Sequence, residues 1–317
     1  MIDVLSSVLA LANAKGRVSG RLRAGGDWAV RLPAPEIPKF NAVIEGSCWL
    51  ETSALEAPVR LDRGDAFLLQ DGQSYVLSSD PALVPVDARR IFDAAVDGIA
   101  TAGDGEGTFL VGGQIELDAR MGSFLLDQLP RVLILRAGAA DSGNLGWALQ
   151  ALAQELGSSE PGQSLLAEHL AQMVVILMIR GYHGAGGTAF PGWLRGLADD
   201  RIGRALRAVH RDPARGWTVE LLAGEAGMSR SSFADRFARL VGCTPIAYAT
   251  DWRLQRAAGH LASGRSSVAT IAADSGYGSE SAFGFAFRRR FGTTPARFQR
   301  EARQRREGTI AQLSAPA

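Results

Sequence analysis

Eleven side chains in two short runs have the types and spacing to engage a polyanion whose edges carry information. In the first run Ser229, Arg230 and Ser231 are followed by Asp235 and Arg239. In the second, Ser279, Glu280 and Ser281 are followed by Phe285, Arg288 and Arg289. Arginine meets phosphate or guanine in bidentate fashion. A carboxylate such as Asp235 can accept from cytosine N4, a serine hydroxyl serves several bases, and an exposed phenylalanine suits a thymine methyl. Glu280 is expected beside Asp235 on the side that faces bases. Arg230, Arg288 and Arg289 are expected on phosphates, which position a protein without specifying sequence. No comparable set points to catalysis. The four histidines are His169, His183, His210 and His260, and none joins a nucleophile and an acid in a recognisable motif. No catalytic residue, resident metal or cofactor is expected.

The runs need rigid elements beneath them, and the surrounding pattern supplies these twice. Thr218-Val219, Leu222-Ala223, Gly227, Phe233, Phe237, Gly242 and Pro245 recur as Ser267-Val268, Ile271-Ala272, Gly276, Phe283, Phe287, Gly292 and Pro295. The front halves match at an offset of 49 and the back halves at 50, which places one inserted residue after the second turn glycine. Thr218 and Ser267 are good N-caps of short helices whose apolar residues fall at i, i+3, i+4. Gly227 and Gly276 stand where the chain must reverse. Ser229 and Ser279 then cap second helices with inward faces Phe233/Phe237/Leu240 and Phe283/Phe287/Phe291. A step of 100° per residue turns Ser231, Asp235 and Ser281, Phe285, Arg289 outward, with Arg239 and Arg288 on the flanks. Helix, glycine turn and second helix at this spacing make a helix-turn-helix, here duplicated.

Charge agrees. The chain has a net charge of only +1, but residues 1–198 hold 15 basic and 22 acidic side chains whereas residues 199–317 hold 19 and 11. An acidic half is joined to a basic one, and every basic residue of the second half is arginine. Two cysteines, Cys48 and Cys243, imply no disulfide framework and a reducing cytoplasm. No uninterrupted run of eighteen apolar residues is present, and MIDVLSSVLALANAKG reads as an amphipathic helix over 1–13 rather than a leader.

Upstream of the basic half, short strands are expected at Trp28–Leu32, Phe40–Ile44, Ser47–Thr52, Val59–Leu61, Ala66–Gln70, Ser74–Leu77 and Phe109–Val111, punctuated by Gly and Asp turns. Such a series suggests a barrel or sandwich. Residues 119–184 read as helices, including Leu133 and Leu135, Trp147–Leu156 and a strongly apolar Leu165–Tyr182. The Gly184–Thr188 stretch is flexible by composition. The expected fold class is α+β in two domains: a cupin-like β-barrel with a helical dimerisation segment over 1–183, a linker over 184–198, and an all-α domain with two helix-turn-helix motifs over 199–317.

Two sets of residues carry a family resemblance. Phe40, Val43, Gly46, Cys48-Trp49-Leu50, then Val59, Leu61, Gly64-Asp65 and Leu69, with Phe109–Gly113, resemble the N-terminal cupin domain of AraC-type transcription regulators. Ala273, Gly276-Tyr277, Phe283, Phe287, Phe291-Gly292 and Pro295 resemble the family's C-terminal signature, and Trp252-Arg253, Ala257 and Leu261 the helix joining its two motifs. Gln299 replaces an arginine usual in related chains, and Gly112 stands where they often carry cysteine. Asn41 and Tyr75 occupy positions where relatives often carry histidine, so the usual imidazole ligands of metallocupins are missing. The resemblance implies double-stranded promoter DNA as partner, a homodimer paired through the 165–182 helix, a small-molecule effector in the barrel and RNA polymerase as a further partner, with no membrane. Asn41, Trp49, Phe67 and Tyr75 are the candidate effector-lining residues. Cys48 reads as a small buried hydrophobe, with a sensing thiol as the alternative. Two other functions stay open: a ligand-independent DNA binder whose barrel only dimerises, and a metal-dependent cupin enzyme fused to a DNA-binding domain.

Overall fold

The computed structural model of the chain describes residues 3–70, 72–138, 142–184 and 192–313. It begins with helix α1 (Val4–Leu11) and continues into β1 (Lys15–Gly25), β2 (Ala29–Leu32), β3 (Lys39–Glu45), β4 (Ser47–Thr52), β5 (Val59–Asp62), β6 (Ala66–Leu69) and β7 (Tyr75–Ser78). There follow β8 (Val86–Asp87), α2 (Ala88–Phe92), β9 (Ile99–Gly103), β10 (Thr108–Glu116), α3 (Ala119–Leu126), β11 (Val132–Leu135), α4 (Ser142–Leu156) and α5 (Gln163–Gly184).

The strands form two sheets, ordered β11-β6-β3-β10-β1-β9 and β5-β4-β7-β2-β8. Leu22, Val43, Phe67 and Leu110 of the first meet Val30, Leu50, Leu61, Tyr75 and Leu77 of the second in one buried core. This is the expected cupin-like barrel, and it contains strands the sequence pattern does not announce. Strand β1 (KGRVSGRLRAG) is rich in Arg and Gly, yet it pairs antiparallel with β10 and parallel with β9. Its small residues are required by position: a Cβ on Gly16 would overlap the α5 backbone at Ala171 and Gln172. Val132–Leu135, expected as helix, is strand β11 paired with β6. Val132 and Ile134 pack on the barrel core while Leu133 and Leu135 are buried on the opposite face, so no polar alternation betrays the strand.

Helix α5 is long and apolar enough to cross a membrane by length and composition. Within this unit Leu170, Val174, Leu177 and Met178 are buried, and α5 packs on β1 and α4. The apolar stripe is therefore largely consumed inside the protomer. What remains open is Leu165 (60% exposed), Leu166 (48%) and, on α4, Trp147 (58%).

The basic half is helical: α6 (Trp193–Ala198), α7 (Asp200–Arg211), α8 (Val219–Ala226), α9 (Arg230–Val241), α10 (Pro245–Ser263), α11 (Val268–Asp274), α12 (Glu280–Phe291) and α13 (Pro295–Leu313). Helix α1 groups with this unit, not with the barrel, and packs on α7. Residues 185–191 of the expected linker lie outside the described residues. Its second part is α6, anchored by buried Trp193 and Leu194 and by a hydrogen bond from Gly192 N to Leu240 O at 2.8 Å. That part belongs to the helical unit, because two large apolar side chains in sequence are better buried than left in a tether.

Candidate nucleic-acid interface

Each helix-turn-helix is assembled by caps at the expected positions. Thr218 Oγ1 accepts from Leu221 N (3.2 Å) and Ser229 Oγ from Ser232 N (3.4 Å), fixing the starts of α8 and α9. Ser267 Oγ accepts from Thr270 N and Ser279 Oγ from Ala282 N, both at 3.1 Å, fixing α11 and α12. Each cap contributes about 1 kcal/mol. Gly227 and Gly276 adopt φ of 65° and 75°, the left-handed conformation that lets the chain reverse. The extra residue of the second copy is visible: Gly276 is followed by Tyr277 and Gly278 before Ser279, whereas Gly227 is followed only by Met228.

Aromatic residues seat the second helix of each copy. Phe233 and Phe237 are fully buried with ring centres 5.6 Å apart, and Phe237 meets Tyr248 of α10 edge-on at 5.9 Å. Phe283 and Phe287 repeat this at 5.5 Å, with Phe298 of α13 edge-on to Phe287 at 5.3 Å. In the first copy the third buried position is Val241 rather than the expected Leu240, which is only partly buried. The i, i+4, i+8 row of a straight helix passes through 233, 237 and 241.

With the inward faces held, the outward ones follow. Ser229, Arg230, Ser231, Asp235 and Arg239 are all exposed, as are Ser279, Glu280, Ser281, Phe285, Arg288 and Arg289. Phe285 is 71% exposed, a large apolar surface on a helix whose neighbours are polar. Arg239, Arg288 and Arg289 form no ion pair among the described residues, whereas Arg230 is held by Glu220 at 2.7 Å. Other arginines of these helices have structural work that sequence reasoning did not separate out. Arg236 Nε donates to Asp199, the N-cap of α7, at 2.9 Å, and Arg290 pairs with Asp251 of α10. Gln299, the departure from the usual arginine, donates from Nε2 to Ser266 O at 2.9 Å and ties α13 to the start of α11.

Comparison with known proteins agrees with this geometry. Residues 3–183 match a family model described as a cupin, and residues 222–301 one described as a helix-turn-helix domain. Over 299 residues the chain is 42% identical to a putative AraC-like transcription regulator of Streptomyces lividans, covering 94% of this chain and 98% of that one. The chain belongs to the AraC-like transcription regulators. It is also 30% identical over 290 residues to the HTH-type transcriptional regulator AlkR of Acinetobacter baylyi, covering 89% of this chain and 94% of that one. With the RCS-specific HTH-type transcriptional activator RclR of Escherichia coli it shares 30% over 308 residues, covering 96% and 99%. The regulator is thus a sequence-specific DNA-binding protein, with a cupin-like N-terminal barrel and a C-terminal all-α domain.

In the barrel, the four candidate effector residues separate. Asn41, Phe67 and Tyr75 are buried; Asn41 Nδ2 lies 3.4 Å from the Tyr75 hydroxyl, and the Phe67 and Tyr75 rings meet edge-on at 6.0 Å. Gly112 leaves room for this pair, since a Cβ there would sit 2.7 Å from Asn41 Oδ1. Trp49 is not with them. On β4 it alternates with Cys48 and Leu50, which point into the core, so Trp49 lies on the opposite side of the sheet. Cys48 is 1% exposed, and burial, with Asp62 and Asp65 nearby, pushes its thiol up to about 12. It stays protonated and packs as an apolar side chain. Asp65 is a turn residue: its carboxylate accepts from Asp62 N and Ala137 N and pairs with Arg136 at 2.7 Å.

Proposed function

We propose that α9 and α12 enter successive major grooves on one face of promoter DNA, about 34 Å apart, so that one protomer reads a bipartite site. The observation that carries this is the exposed row Ser281, Phe285 and Arg289 in α12, matched by Ser231, Asp235 and Arg239 in α9, on helices whose inward faces are locked by phenylalanine. Asp235 and Glu280 read bases, Phe285 takes a thymine methyl, and Arg239, Arg288 and Arg289 hold phosphates. Arg230 reaches a phosphate only by leaving Glu220. The DNA-binding domain is taken as 199–317 with α6 in front, and the barrel domain as ending at 183.

Enrichment of random duplexes by the full-length protein at roughly 0.15 M salt tests the reading. It expects two short elements about one helical turn apart, with affinity falling steeply as salt rises. A single uninterrupted element, or none, counts against it.

Two copies of the regulator act together in the cytoplasm beside RNA polymerase, with Leu165, Leu166 and Trp147 as the surface left for self-association. The effector reading rests on Asn41 and Tyr75, polar groups in an otherwise apolar interior, and on a cleft of about 400 Å³ lined by Arg31, Glu51, Thr52, Ser74 and Tyr75. Dense packing of the barrel core favours a second reading, in which the barrel only dimerises. A ligand-induced thermal shift across a metabolite panel, abolished by Tyr75→Ala, supports the first, and no shift with any compound supports the second.

A further inference from the structure

The two helix-turn-helix copies are joined by more than α10. The loop Asp212–Trp217, which connects α7 to α8 in the first copy, is stiffened from within. Trp217 Nε1 donates to Asp212 O at 2.8 Å, Arg215 N donates to Asp212 Oδ1 at 3.2 Å, and the Arg215 guanidinium lies 4.5 Å over the Trp217 ring. Arg253 of α10 grips this loop with both ends of its fork: Nε donates to Pro213 O at 2.8 Å and Nη2 to Arg215 O at 2.7 Å. The same guanidinium lies 5.7 Å from the centre of the Tyr277 ring, in the turn of the second copy.

Contact between the loop and that turn is closer still. A Cβ on Gly276 would overlap the Ala214 carbonyl oxygen and sit 3.0 Å from its carbon. The equivalent glycine of the first copy has no such neighbour: a Cβ on Gly227 would meet only the far end of the Arg204 side chain, at 3.3 Å. Both glycines serve their turns at positive φ, and Gly276 additionally lets the first copy's loop press against the second copy's turn.

We propose that this bracket sets the distance and phase between α9 and α12, and that Arg253 is a positioning residue limiting the regulator to one spacing of its two DNA elements. The proposal rests on the bipartite reading above. Helix α10 alone is a poor ruler. A tilt of about 10° at one end of its 19 residues would displace the other end by about 5 Å, more than the 3.4 Å or so between base pairs. The fork of Arg253 suits the task because it spans two carbonyls and a ring at once, which the point charge of a lysine cannot do.

The test uses the full-length protein and duplexes carrying its two enriched elements with zero, one or two base pairs added or removed between them. Wild type should bind one spacing at least roughly tenfold tighter than its neighbours, the cost of a misplaced contact. Arg253→Ala should reduce that preference to about twofold while each element keeps its own base preference, and Arg253→Lys should fall between. A purely structural role would lower the melting temperature and leave the spacing ratio intact. Should Arg253→Ala fail to fold, Gly276→Ala is compared with Gly227→Ala: both strain a turn, and only the first should relax spacing. Spacing preference unchanged in Arg253→Ala, or in Gly276→Ala where that is the variant read, overturns the proposal. So does wild type that enriches both elements at any separation. Enrichment of only one element would instead overturn the bipartite reading on which the proposal rests.

Discussion

Lowering the pH from 7 to 5 should loosen the helical unit by about 2 kcal/mol through one residue, His210. This imidazole is 5% exposed, stacked 3.9 Å from the Trp252 ring and sharing a 2.8 Å hydrogen bond between Nε2 and the Tyr248 hydroxyl. Burial, reinforced by the positive charge of Arg256, lowers its pKa to about 3. The unfolded chain has an ordinary histidine near 6.5. Between those values the unfolded state binds the proton and the folded state does not. The stabilisation is therefore present above about pH 6.5 and is lost progressively as pH falls toward about 3, with a limiting slope near 1.4 kcal/mol per pH unit. At pH 5 the loss is about 2 kcal/mol, or roughly thirtyfold in the opening equilibrium. Amide hydrogen exchange of α7 and α10, corrected for the intrinsic rate at each pH, reads that equilibrium for this unit alone. Wild type should lose about thirtyfold in protection between pH 7 and pH 5 beyond the loss in His210→Gln, which can still face Tyr248 but cannot titrate. Equal losses in the two proteins would refute the reasoning and assign the acid sensitivity to carboxylates.

Three further outcomes follow from the geometry of the interface. Phe285→Ala should leave thermal stability within about 0.5 kcal/mol of wild type, yet lower discrimination at one position of the second DNA element by about 1–3 kcal/mol, read by competition binding. Asp235→Ala and Glu280→Ala should relax base preference more than affinity, and a loss uniform across all sequences would place those carboxylates on the backbone side instead. Phe283→Ala, at a fully buried ring, should cost about 3–5 kcal/mol in denaturant unfolding and abolish recognition of the second element while the first is still read.

Periodicity and turn chemistry made the DNA-binding half legible because its elements are local. A cap, an i, i+4 phenylalanine pair and a glycine at positive φ lie within a dozen residues of one another, and they turn Ser231, Asp235, Ser281 and Phe285 outward before any tertiary contact is considered. Charge partition and a repeated signature completed that reading. The barrel was legible only where strands alternate. Lys15–Gly25 carries few β-formers and becomes a strand because β9 and β10 flank it, while Val132–Leu135 is apolar on both faces and offers no period to read. Spacing also failed to sort the arginines: Arg236 and Arg290 look like Arg239 and Arg288 in sequence, and only the folded chain brings Asp199 and Asp251 against the first pair. Trp49 was misplaced for the same reason, since one step along a strand decides which side of a sheet a ring occupies. The kind of molecule this chain addresses, and the helices that address it, are written in short-range pattern. Which side chains remain free to touch DNA, and how Arg253 and Gly276 hold the two reading heads together, depends on pairings between residues as much as 62 positions apart, such as Ala214 with Gly276, which local physics cannot specify.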